Sequence, residues 1–196
     1  MTTPARAWIS VERAEQINFV FLLAMLAVIS GILSAAMVMQ YVYGELPCPL
    51  CLLERAALFG VAFGIIANLR SGFSYRNTGL SLLFALVLLI VSVRQTLLDI
   101  YPRPGHEYIG STVLGLHMPV WSILIALAIL AAYALKLVLL GDEARLERSK
   151  LDAFPRLGPS ADILSIYVIV LCAINLVSAF VQCGLGQCHT TGYHLL

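Results

Sequence analysis

From Ile17 to Val42 the chain carries no Asp, Glu, Lys or Arg, and most of its side chains are aliphatic or aromatic. A run of roughly 18 or more apolar residues is long enough to cross the hydrocarbon of a bilayer. Backbone amides placed there have to be satisfied within the segment, which leaves helix as the conformation. The run is also longer than the apolar core of a cleaved signal peptide, about 7–15 residues, so it is expected to be a retained first helix. Four more stretches share its character, at about 52–69, 79–98, 119–140 and 162–182. Pro119 suits the first turn of the fourth, and Asp162 is the expected N-cap of the fifth. The expectation is an all-α integral membrane protein with the lipid bilayer as its solvent. Charged residues make up only 12% of the chain, about half the share of a soluble domain. A net charge of +1 without a basic, aromatic-laced patch excludes nucleic acid as a partner.

Charge orients the spans. Lys and Arg collect in cytoplasmic loops. With five spans, one side gathers Arg6, Arg13, Arg70, Arg76, Arg145, Arg148, Lys150 and Arg156, and the other only Arg103. The N-terminus is therefore expected in the cytoplasm. The loop holding Cys48 and Cys51, the segment from Asp99 to Met118 and the C-terminal tail from Cys183 are expected outside. In a bacterial cell that face of the inner membrane is the periplasm, where disulfides persist.

Four of the five cysteines fall on that face as two close pairs, Cys48-Pro-Leu-Cys51 and Cys183-Gly-Leu-Gly-Gln-Cys188. A C-x-x-C pair at a helix mouth closes into a small disulfide ring, and the helix N-terminus favours the thiolate, which is the reactive species. Arg55, one turn on, suits a thiolate or an anionic acceptor. Pro47 and Pro49 stiffen the segment. A zinc site would need further ligands. Haem attachment to the first pair fails because Leu52 stands where His is required. An inert structural disulfide stays open. The second pair reads as a redox partner of the first, as a structural clip, as a spaced haem-attachment pattern with His189 (His194 or His117 as the second axial ligand), or as a metal site with His189 and His194. Cys172 reads as a buried apolar residue. Arg94, near the outer end of the third span, is a functional candidate by its position in an apolar segment. Gly60 and Gly64 form a G-x-x-x-G suited to close helix packing. His106 reads as a polar loop residue, and Tyr41, Tyr43, Tyr101, Tyr108 and Trp121 as interface anchors.

The run from Pro47 to Arg55, followed by Ala57-Leu58-Phe59-Gly60, resembles the disulfide bond formation protein B (DsbB) family. Tyr101-Pro102 and the stretch from Leu114 to Trp121 extend the likeness, which covers about residues 15–140. The resemblance implies a four-helix membrane bundle over 1–140. A cytoplasmic loop at 141–161 and a fifth transmembrane helix with a periplasmic cysteine-bearing tail at 162–196 would follow. It implies a protein thiol–disulfide oxidoreductase that reoxidises a periplasmic thioredoxin-fold dithiol oxidase and passes the electrons to a membrane quinone, ubiquinone or menaquinone. Cys48 and Cys51 would be the quinone-proximal pair, with Cys51, Arg55 and Arg94 at the cofactor. The family's usual second pair, in the loop between spans three and four, is missing here, and the added fifth span carries Cys183 and Cys188 to the same side. The tail pair is therefore expected to replace the loop pair. The absent loop pair also keeps open a rival reading, a non-catalytic subunit or assembly factor of a larger membrane complex built on the same scaffold. The vitamin K epoxide reductase-like proteins place their C-x-x-C near the last helix of the core bundle, which does not fit a motif after the first span.

Overall fold

A computed structural model describes residues 11–101, 112–140, 157–184 and 188. The described residues form five helices, α1 (Val11–Tyr41), α2 (Pro49–Ser71), α3 (Tyr75–Ile100), α4 (Met118–Leu140) and α5 (Gly158–Cys183), each long and apolar enough to cross a membrane. Outside the helices, an isolated bridge pairs Val113 with Leu116, across Leu114 and Gly115 at positive φ. Several residues invoked above lie outside the described residues: Arg6, Arg103, His106, Tyr108, Arg145, Arg148, Lys150, Arg156, His189 and His194.

Every helix begins earlier than its apolar run, α1 by the most, at Val11. The first turn of α2 includes Pro49 and is capped by Cys48, so both cysteines belong to the helix start. The third helix begins at Tyr75. Pro159 lies in the first turn of α5, which starts at Gly158, so Asp162 is not the cap. It sits one turn in and pairs with Arg70 at 3.3 Å.

The core follows helical spacing. Leu22, Leu26, Ile29 and Leu33 of α1 are buried against Val61, Ile65 and Leu69 of α2, with Leu88 of α3 and Ile129 and Tyr133 of α4. Outward positions such as Phe63, Ile90, Val138 and Leu176 are apolar too, the pattern of helices surrounded by hydrocarbon rather than water. Gly60 and Gly64 of α2 face α3, one under the Phe84 ring and the other against the Asn77 carbonyl and Ser81. The return from α2 to α3 turns at Gly72, at φ 87°. Asn68 fastens it, accepting from the Ser74 amide and donating to Thr78 Oγ1, both at 3.0 Å.

The fifth helix packs on α1 and α2. Tyr167 meets Ser34 and Ser178 meets Gln40, so α5 runs in the same direction as α1. Asn175 meets Arg55 and Asp162 meets Arg70, so it runs against α2. Its C-terminal turn therefore arrives at the end of the bundle where α2 begins, the end that carries Cys48 and Cys51.

Candidate active site

Cys48 and Cys51 are joined by a disulfide at the start of α2, with Cα atoms 4.9 Å apart. The amide of Cys51 donates to Cys48 Sγ at 3.0 Å, so the sulfur fills the N-cap role usually taken by a side-chain oxygen. From α3 the Gln95 amide group approaches both sulfurs, its Nε2 lying 3.4 Å from each. Gln95 is buried, and its Oε1 has no hydrogen-bond partner. The two cysteines differ in access. Cys48 is 7% exposed, whereas Cys51 is half-buried and faces a cavity.

That cavity has a volume of about 460 Å³, within the size range of small-molecule sites. Ile32 and Met39 of α1, Leu58 of α2, and Trp121 and Ile125 of α4 give it apolar walls. Its polar lining comes from Glu45, Cys51, Glu54, Arg55 and Ser122. Trp121 is held by a 3.0 Å bond from Nε1 to the Val113 carbonyl.

Arg55 is 9% exposed. Its guanidinium donates to Gln40 Oε1 at 2.6 Å, to the Ala36 carbonyl at 3.1 Å and to Asn175 Oδ1 at 3.4 Å. Those partners make a cation tolerable at this depth, since a buried charge without them is very costly. Glu54, equally buried, accepts from the Ser122 hydroxyl at 2.8 Å on Oε2 and has no partner on Oε1. A cavity lined by an orphaned carboxyl oxygen, a sulfur and a guanidinium is chemically suited to a ring bearing carbonyl oxygens in an apolar body.

Cys183 and Cys188 form the second disulfide, both half-buried. With their sulfurs joined, neither offers a bond to haem or metal in this state. Among the described residues, no three His, Cys, Asp or Glu side chains converge as a metal site. Gln182, the chain neighbour of Cys183, donates from Nε2 to the Pro47 carbonyl at 2.8 Å. The residue before Cys48 is thereby tied to the residue before Cys183.

The structure thus brings together Cys48, Cys51 and Arg55, and ties the chain neighbour of Cys183 to the chain neighbour of Cys48. It does not bring Arg94 there. Arg94 is exposed in a separate groove on α3, with Leu97 and Tyr101. Cys172 is exposed on α5, not buried. Gln40, Gln95, Ser178 and Gln182 were not singled out by the sequence. The available signal was an amide or hydroxyl inside an apolar run.

Residues 18–108 match the family model described as disulfide bond formation protein DsbB. A disulfide bond formation protein B of Nitrosomonas eutropha is 38% identical over 90 residues, 44% of this chain and 55% of the relative. One of Paracidovorax citrulli is 39% identical over 87 residues, 41% of this chain and 50% of the relative. The chain therefore spans about half the length of the curated relatives it matches. No solved structure matches it. The matched stretch contains Gln40, Cys48, Cys51, Glu54, Arg55 and Gln95, while α4 and α5 lie beyond it.

Proposed function

We propose that the chain, whose residues 18–108 match the DsbB family model, is a quinone-linked thiol–disulfide oxidoreductase of the bacterial inner membrane. Its cytoplasmic N-terminus leaves both cysteine pairs in the periplasm. Its substrate is the dithiol of a periplasmic thioredoxin-fold oxidase, and Cys183–Cys188 is the pair that receives it. The observation that carries this reading is the bond from Gln182 to Pro47, which fastens the half-exposed tail pair next to a buried Cys48.

A partner thiolate attacks one tail sulfur, and the partner's second thiol resolves the mixed disulfide. The partner leaves oxidised, with Cys183 and Cys188 as thiols. One of these, as thiolate, attacks Cys48, and Cys51 departs as a thiolate facing the cavity. The second tail thiol then resolves the Cys48 mixed disulfide and restores the Cys183–Cys188 bond. Each exchange moves two electrons, and its rate depends on thiolate fraction and reach. The N–H of Gln95 is placed to stabilise negative charge on either sulfur. A quinone in the cavity would supply the terminal oxidant, a two-electron, two-proton acceptor for re-forming the Cys48–Cys51 bond. The Arg55 guanidinium, and Glu54 when protonated, would donate to its oxygens, and the apolar walls would hold its ring.

Replacing Cys183 and Cys188 together with Ser tests the relay. Partner oxidation should stop while quinone binding, read by Trp121 fluorescence, persists. Unchanged turnover would refute the relay. A wild-type protein that cannot reduce a quinone with any dithiol would instead favour a non-catalytic role for the same scaffold.

A further inference from the structure

The fifth helix presents Asn175, Ser178 and Gln182 at spacings of three and four on its packed side, and all three are buried. In an apolar helix such side chains are costly unless bonded. Each finds a partner in the cavity's own framework. Ser178 Oγ accepts from Gln40 Nε2 at 2.5 Å. Gln40 Oε1, at the other end of that amide, accepts from Arg55 at 2.6 Å. Asn175 Oδ1 accepts from the same guanidinium nitrogen at 3.4 Å. Gln182 holds Pro47, which also lines the cavity. The stripe therefore does not touch the cavity but grips two of the parts that do.

The chain of bonds has a direction. Gln40 can offer Arg55 an oxygen only while its NH₂ points away, and the Ser178 hydroxyl is what that NH₂ points to. Removing Ser178 takes away the acceptor that this bond gives the NH₂ and loosens the hold on the orientation that serves Arg55. The polar wall of the cavity thus depends on a helix outside the family match.

We infer that α5 is a positioning element of the quinone cavity, with Ser178 setting the Arg55 guanidinium through Gln40 and Asn175 setting it directly. This rests on the function proposed above. Ordinary helix–helix adhesion by polar residues would act on stability alone, so the two roles separate experimentally.

The test uses the full chain in detergent, with Trp8→Phe so that Trp121 is the sole tryptophan. Quenching by a short-chain benzoquinone gives a dissociation constant without turnover. Ser178→Ala should raise that constant about tenfold, the effect of one lost bond in a network serving a charged group, with the thermal midpoint near the wild-type value. Asn175→Leu should act in the same direction, and Ser178→Thr should restore binding. In dithiol-driven turnover the effect should fall on the KM for quinone more than on kcat. If Ser178→Ala folds and binds quinone as wild type does, the positioning role is overturned. The same holds if Ser178→Ala loses stability in proportion to affinity and Thr does not restore binding. If the wild type itself neither quenches nor turns over, the failure lies in the proposed function.

Discussion

Gly64 is where the bundle tolerates least, and replacing it with Ala makes a quantitative test of the packing. A methyl group there would lie 2.6 Å from the Asn77 carbonyl oxygen and would strike the Ser81 hydroxyl. The oxygen belongs to the α3 backbone and cannot swing aside, so α2 and α3 must part by roughly half an ångström in an interior packed like a crystal. Overpacking of this kind costs about 1–3 kcal/mol. The separation also stretches the bond from Ser81 Oγ to the Val61 carbonyl, now 3.0 Å, which is worth about 0.5–1.5 kcal/mol. Against this, Ala gains about 1 kcal/mol of helix propensity over Gly. Gly64→Ala should therefore lose about 2 kcal/mol. Gly60→Ala is the control. The nearest atoms its methyl group meets are all in the half-buried Phe84 ring, a side chain that can change rotamer where the Asn77 backbone cannot move, so its loss should be the smaller, about 1 kcal/mol. Unfolding in mixed detergent–SDS micelles, followed by helicity, compares the two. A Gly64→Ala protein as stable as wild type, or less damaged than Gly60→Ala, would refute the contact.

Two further substitutions address the chemistry. Arg55→Lys keeps the charge but not the fork that reaches Gln40 Oε1 and the Ala36 carbonyl together. Quinone affinity should fall about 10-fold or more, and an unchanged tryptophan-quenching titration would remove Arg55 from the site. Gln95→Leu preserves bulk but deletes the donor between the two sulfurs. Reoxidation of reduced Cys48 and Cys51 by quinone should slow about tenfold or more in stopped-flow, with affinity retained, and a wild-type rate would make Gln95 a packing residue only.

The five helices and the Cys48–Cys51 disulfide were legible because each leaves a local mark: uninterrupted apolar length in one case, fixed spacing in the other. Helix starts were legible only in part. Pro49 and Pro159 were the signals for α2 and α5, since Pro favours the first turn, yet hydropathy alone put those starts several residues later. Arg55 and Arg94 look alike in sequence, each an arginine near the outer end of a span. Their fates diverge because successive residues on a helix point about 100° apart: Gln95 faces the disulfide, which turns Arg94 outward. The partners of Arg55 were the least visible, because Asn175 lies 120 residues away in sequence and no periodicity pairs two distant polar positions. What the sequence did offer was the stripe at 175, 178 and 182, unexpected in an apolar helix.

The cap on α2 has a consequence for the speed of turnover. Cys48 Sγ receives the Cys51 amide while bonded to Cys51 Sγ, and a thiolate at that position would receive the same amide and face the same helix N-terminus. The same helix start would therefore cap either redox form without rebuilding its first turn. In the cycle proposed above, opening and closing the ring would then ask for little backbone movement at the reacting atoms.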